Sequence, residues 1–242
     1  AGFRYTGTGD FNKWDTYSLA FDGVDDYLDL NSISLGTVHT LSAWCKLDSL
    51  SDDNYLFGSA YAYGLDLYAY GSRIYYRPDV GAGVEVTHTF TLGWHHYVLT
   101  RNGTAVNIYV DGAQVGSEKT LTTNSTFTPK YMMTHNVANF GAGELDEAAV
   151  WDSVLSTADI SAIYNGGTPQ SLAPYSPVAW WRMGDGTLDN GDERLIGDQM
   201  NLTLGSELLT NGDFSDASVP DTWNGSAPVN LVGWTSGGSA YT

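Results

Sequence analysis

The chain has 242 residues, with 10 Lys plus Arg against 28 Asp plus Glu, so its formal net charge is −18. Only 16% of residues are charged, against roughly 25% in an average soluble domain, while 13% are aromatic. This acidity excludes phosphate backbones and anionic membrane surfaces as partners. The aromatic content excludes disorder, and no apolar run approaches the roughly 18 residues of a spanning helix. Cys45 is the only cysteine, so no internal disulfide is possible.

Alternation with period 2 dominates the chain and predicts strands. Tyr17, Leu19 and Phe21 alternate with Ser18, Ala20 and Asp22, and Leu41, Ala43, Cys45 and Leu47 alternate with Thr40, Ser42, Trp44 and Lys46. Two Tyr-rich strands between Ala62 and Arg77 are separated by Gly71-Ser72. From Trp94 to Val115 three strands meander through two turn signals, Asn102-Gly103 and Asp111-Gly112. Ser156-x-x-Asp159 reads as a capping box before Ile160, Ile163 and Tyr164 at helical spacing, and Gly166-Gly167 stops that helix. These signals predict an N-terminal segment over 1–16, a β-sandwich over 17–170 and a linker with short strands over 171–206. The linker includes Val178-Ala-Trp-Trp-Arg-Met183, and residues 207–242 are too few for a core of their own.

Five segments in order resemble one family. They are Tyr17-Ser-Leu-Ala-Phe-Asp-Gly-Val-Asp-Asp-Tyr27, Leu41-Ser-Ala-Trp-Cys-Lys-Leu-Asp48, Gly93-Trp-His-His-Tyr-Val-Leu-Thr-Arg101, Val106-Asn-Ile-Tyr-Val-Asp-Gly112 and Gly143-Glu-Leu-Asp-Glu-Ala-Ala-Val-Trp-Asp152 with Leu155 to Ile160. Together they look like LamG-like, concanavalin A-type jelly rolls. The resemblance implies an all-β, antiparallel two-sheet sandwich with one short C-terminal helix and a β-rich extension. It also implies a frequent bound Ca²⁺, and binding of glycans or proteins rather than catalysis. Val178 to Leu204 resembles segments of multi-domain surface and phage proteins. Asn211-Gly-Asp-Phe-Ser215, with Trp223 and Trp234, resembles the first strand of a galactose-binding-like sandwich.

Asp22, Asp25 and Asp26 surround Gly23 after the first strand, and Glu144, Asp146 and Glu147 lie on a late one. Ca²⁺ takes six to eight oxygen ligands, which Asp/Gly-rich turns supply. The family places the first and last strands side by side, so Asp22 and Asp146 are expected to meet, with Asp25, Asp26 and Glu144 in support. Laminarinase-type hydrolases of this architecture carry Glu-x-Asp-x-Glu or Glu-x-Asp-x-x-Glu on one strand. Here Glu144-Leu-Asp146 begins that pattern, Ala148 or Ala149 holds its third position, and strict alternation turns Glu147 to the other face. An enzyme is therefore not expected.

His95 and His96 should face opposite sides, and Cys45 should be an inert core thiol. Tyr61, Tyr63, Tyr68 and Tyr70 form the candidate glycan surface, because sugars stack their C–H faces on aromatic rings. The expected function is a non-enzymatic glycan-binding or adhesion module of a virion fibre or extracellular surface protein, stabilised by Ca²⁺. Its partners would be a glycan, a host-surface receptor or other virion subunits, with no nucleic acid, no membrane insertion and room for a homo-oligomer. The alternatives are a structural virion module (capsid decoration or spacer) and, third, a glycoside hydrolase.

Overall fold

The computed structural model describes residues 17–184, apart from 52, 61–63, 69–70 and 80. The strands are β1 (Leu19–Asp22), β2 (Leu28–Asp29), β3 (Val38–Leu47), β4 (Asp53–Phe57), β5 (Gly64–Tyr68), β6 (Arg73–Asp79) and β7 (Ala82–Thr87). They continue as β8 (Trp94–Asn102), β9 (Ala105–Val110), β10 (Ala113–Thr120), β11 (Tyr131–Met132), β12 (Ala142–Trp151) and β13 (Ala179–Trp181), with helix α1 (Thr157–Tyr164) between the last two. The main sheet runs β1-β12-β3-β8-β9-β10, with β13 also on β12; a second sheet runs β4-β5-β6-β7, and β2 pairs β11. All pairings are antiparallel, as expected for the two-sheet sandwich.

The alternating apolar residues fill the space between the sheets. Leu19, Leu41, Cys45, Leu99 and Leu145 from the main sheet meet Leu67, Ile74 and Tyr76 from the second. Cys45 is fully buried, and burial pushes its thiol well above the ordinary range, which makes it inert. Gly64 has φ +82°, and a Cβ there would stand 1.8 Å from the Phe57 carbonyl oxygen, so β5 can approach β4 only with glycine.

The two hairpins fold as the turn residues dictate. Asn102 pairs with Ala105, so the first turn is Gly103-Thr104, one residue beyond the expected start. Asp111 and Gly112 both take positive φ, as a type I′ turn requires. The capping box at Ser156 forms with Asp159, and Asn165 rather than Gly166 takes the left-handed C-cap position.

The sandwich does not end near residue 170. Ala179, Trp180 and Trp181 pair with Val150, Ala149 and Ala148 along the edge of β12 that β1 leaves open. Trp181 and Met183 enter the inter-sheet core. Trp180 joins Val98, Tyr109, Trp151, Ile160 and Ile163 in a second cluster on the outer face of the main sheet. The stretch expected to be a linker therefore supplies structure to the sandwich through Met183.

Candidate functional site

The β1 turn gathers three of the five expected metal ligands. One carboxylate oxygen each from Asp22, Asp25 and Asp26 lie within 4.8 Å of one another. Gly23, at φ +76°, brings the turn so close to β12 that a Cβ would stand 2.9 Å from that of Ala142. Asp22 accepts from the Val24 N–H at 2.8 Å, and Asp26 Oδ2 accepts from the Asp22 N–H at 3.1 Å. Asp26 is buried, and its Oδ1 has no hydrogen-bond partner. Burial first, then the charges of Asp22 and Asp25, push the Asp26 carboxyl up to about 6. A buried carboxylate oxygen without a donor, beside two more carboxylates, suits a hard cation.

Asp146 and Glu144 do not join this cluster. The register sets Asp22 opposite Ala142, which leaves Asp146 four residues further along β12, about 13 Å at strand rise. Asp146 lies opposite Trp44 instead. Glu144 accepts from Lys46 Nζ at 2.9 Å and Ser18 Oγ at 2.7 Å. The expected Asp22–Asp146 contact does not form, because the β1–β12 register sets Asp22 against Ala142 at the opposite end of the pairing from Asp146.

Glu147 departs from strict alternation. A bulge lies between Asp146 and Ala149, and Glu147 adopts φ +44° there. Asp146 Oδ1 accepts the Glu147 N–H at 2.8 Å and holds the bulge. The Glu147 carboxylate meets the Trp180 indole N–H and Arg182 Nε, the latter at 3.0 Å, beside the outer cluster. Glu144, Asp146 and Glu147 thus share the outer side of the sheet. All three are buried, and Glu144 and Glu147 are ion-paired.

The two histidines part as expected. His96 is buried, with Nε2 2.8 Å from Ser42 Oγ and its ring stacked on Trp44. His95 Nδ1 lies 2.7 Å from Asp111 at the end of the sandwich, and Nε2 meets Thr91. Of the four expected glycan-binding tyrosines, Tyr61, Tyr63 and Tyr70 lie outside the described residues. Tyr68 is described only as a backbone position in β5, opposite Asp53 and Arg73.

Sequence alternation overlooked a row on the outer face of the main sheet. Register places Ala20, Glu144, Lys46 and Trp94 side by side across β1, β12, β3 and β8. The neighbouring row holds Trp44 and His96, and Tyr164 of α1 stacks on Trp44 at 5.8 Å. Only the cross-strand register aligns these residues, which are scattered through the sequence.

A family model described as the concanavalin A-like lectin/glucanases superfamily matches residues 22–161. The chain belongs to that superfamily. No curated protein matches it. Among solved structures it resembles a Bacteroides ovatus protein described as a candidate carbohydrate binding protein, at TM-score 0.55 and 17% identity. The likeness covers 74% of this chain and 54% of that one, so this superfamily member aligns with about half of the Bacteroides protein. A heptameric pentraxin of Limulus polyphemus aligns at TM-score 0.48 and 17% identity, over 63% of this chain and 84% of its own. Domain 4 of an extracellular arabinanase of Geobacillus stearothermophilus, in complex with arabinotriose, aligns at 0.49 and 11%, over 68% and 82%.

Proposed function

We propose that this superfamily member is a non-enzymatic glycan-binding module of an extracellular or virion surface protein, stabilised by Ca²⁺ at Asp22, Asp25 and Asp26. The carrying observation is the acidic turn with its donor-less Asp26 oxygen, set at the rim of a lectin-type sandwich. The cation would supply charge compensation that lets Asp26 stay ionised while buried. Binding rather than hydrolysis is favoured because a retaining or inverting hydrolase needs two carboxyl groups flanking an open cleft. Here Glu144 and Glu147 are buried and engaged with Lys46 and Arg182. The name of the Bacteroides protein adds weight to a carbohydrate ligand.

The metal and the glycan parts of this reading are tested separately. Millimolar calcium is expected to raise the melting temperature, and chelator to reverse the rise. Asp26 must lose its proton to serve as ligand, so calcium affinity should fall up to about tenfold per pH unit below about 6. Asp26→Asn should remove both effects; a melting curve indifferent to calcium at neutral pH would remove the metal from the proposal. Separately, the full chain should bind at least one oligosaccharide on a printed array and release no sugar from β-glucans. Steady release that is lost in Glu144→Gln would instead establish the hydrolase.

A further inference from the structure

We infer that the row Glu144–Lys46–Trp94 on the outer face of the main sheet is a subsite for a neutral pyranose. This rests on the glycan-binding reading above and adds the location and the sugar class. Directly opposed residues on antiparallel strands share one face. Glu144 opposes Lys46, and Lys46 opposes Trp94. The 2.9 Å Lys46–Glu144 ion pair confirms the facing of the first two. Trp44, two residues before Lys46 on β3, faces the same way and is stacked by Tyr164 from α1. From Glu144 to Trp94 the row spans two strand spacings, about 10 Å.

Most of this sheet face is covered, and in this row Glu144 is buried while Lys46 and Trp94 keep part of their surface exposed. Val98, Tyr109, Ala149 and Trp151 lie under α1 and the segment carrying Trp180. The covering stops at Trp44, which is 3% exposed, whereas the Lys46 side chain one row further on is 36% exposed. Trp94 is partly exposed. Along the strands the row is bounded on one side by its neighbour Asp146–Trp44–His96, with Tyr164 of α1 stacked on Trp44 and the Glu147–Arg182 pair just beyond Asp146.

The chemistry of the row selects the ligand. An indole offers a flat apolar face for the C–H side of a pyranose ring. An ammonium held in place by a carboxylate donates to sugar hydroxyls without first losing rotamer freedom to ordering. Glu144 already compensates the charge of Lys46, and the whole chain carries −18. A uronate- or sialate-bearing chain would meet net repulsion here. A neutral sugar loses nothing to that field.

The test is a printed array of neutral, uronate-bearing and sialate-bearing oligosaccharides, probed with the full chain, followed by titration of the best neutral binder. Trp94→Ala should weaken binding at least about tenfold, and Lys46→Met, made together with Glu144→Gln so that no buried charge is left unpaired, by about three- to tenfold, with melting temperatures near that of the parent. Trp94→Tyr keeps an aromatic face and should recover part of the loss; it also serves if Trp94→Ala folds poorly. If the parent binds neutral sugar and all three variants bind equally well, the subsite is wrong while the glycan-binding reading stands. Binding confined to acidic glycans overturns the neutral assignment, and no binding at all overturns both.

Discussion

A chain ended at residue 170 is expected to lose cooperative folding, although the superfamily match stops at 161. The lost segment contains Trp180 at 5%, Trp181 at 2% and Met183 at 0% exposure. Removing one buried Trp side chain costs roughly 3–5 kcal/mol, and a whole domain is held by roughly 5–15 kcal/mol. Loss of both Trp residues therefore consumes most of what holds a sandwich of this size together. Within the full chain, Arg182→Met isolates the electrostatic part. It leaves the Glu147 carboxylate, 2% exposed, without its guanidinium, and breaking such a pair from one side costs roughly 3–5 kcal/mol. Urea denaturation measures both. Pairing Arg182→Met with Glu147→Gln should recover part of the loss, because no uncompensated charge then remains. Unchanged midpoints for the single variant and for the chain ended at 170 would show that β13 is a passenger on the sheet.

The same segment separates what the sequence discloses from what it conceals. Val178-Ala-Trp-Trp reads as a strand from its own residues, but its neighbour does not, because pairing with β12 links residues about thirty apart. The β12 bulge is hidden for a similar reason. It depends on Asp146 capping the Glu147 N–H and on Trp180 and Arg182 receiving the Glu147 carboxylate. Strict alternation therefore puts Glu147 on the inner face, whereas the bulge turns it outward. By contrast, the Asp111-Gly112 turn and the Ser156–Asp159 box are set by adjacent residues and fold as read. The acidic turn at Asp22, Asp25 and Asp26 is local and was legible; its expected partner Asp146 depended on register and was not. The Glu144–Lys46–Trp94 row is the extreme case, since each member comes from a different strand.

Stability should fall steeply as pH drops from about 6.5 toward about 4, because two histidines are folded into the protein in their neutral form. His39 is fully buried, bonded to the Gly36 carbonyl at 2.8 Å and to the Tyr76 hydroxyl at 2.8 Å. Arg101 shares that pocket and donates to Tyr76 and to the Gly103 carbonyl. Burial, reinforced by the Arg101 charge, pushes His39 down to about 4. His96 is buried against both Trp44 and Tyr164, and burial pushes it down to about 3. The unfolded chain protonates both rings as pH falls through 6.5, whereas the folded chain resists until those lower values. Unfolding then takes up protons, so their contribution is intact above 6.5 and is lost on acidification. At about 1.4 kcal/mol per unit, the limiting losses are about 3 kcal/mol for His39 and about 5 for His96. Asp26 works in the opposite direction. Its folded value of about 6 exceeds its ordinary 3.8, so it favours the folded state in acid and loses that contribution as pH rises through about 6. The larger histidine effect sets the net slope. Urea midpoints between about pH 7 and pH 4.5, in chelator, should fall steadily in the parent chain. They should fall less in His39→Gln and His96→Gln, each of which removes one titrating ring. Parallel slopes in parent and variants would locate the acid lability elsewhere. If calcium binds at the proposed site, saturating calcium should steepen the parent's loss below about pH 6, because cation and proton would then compete for the Asp26 carboxylate.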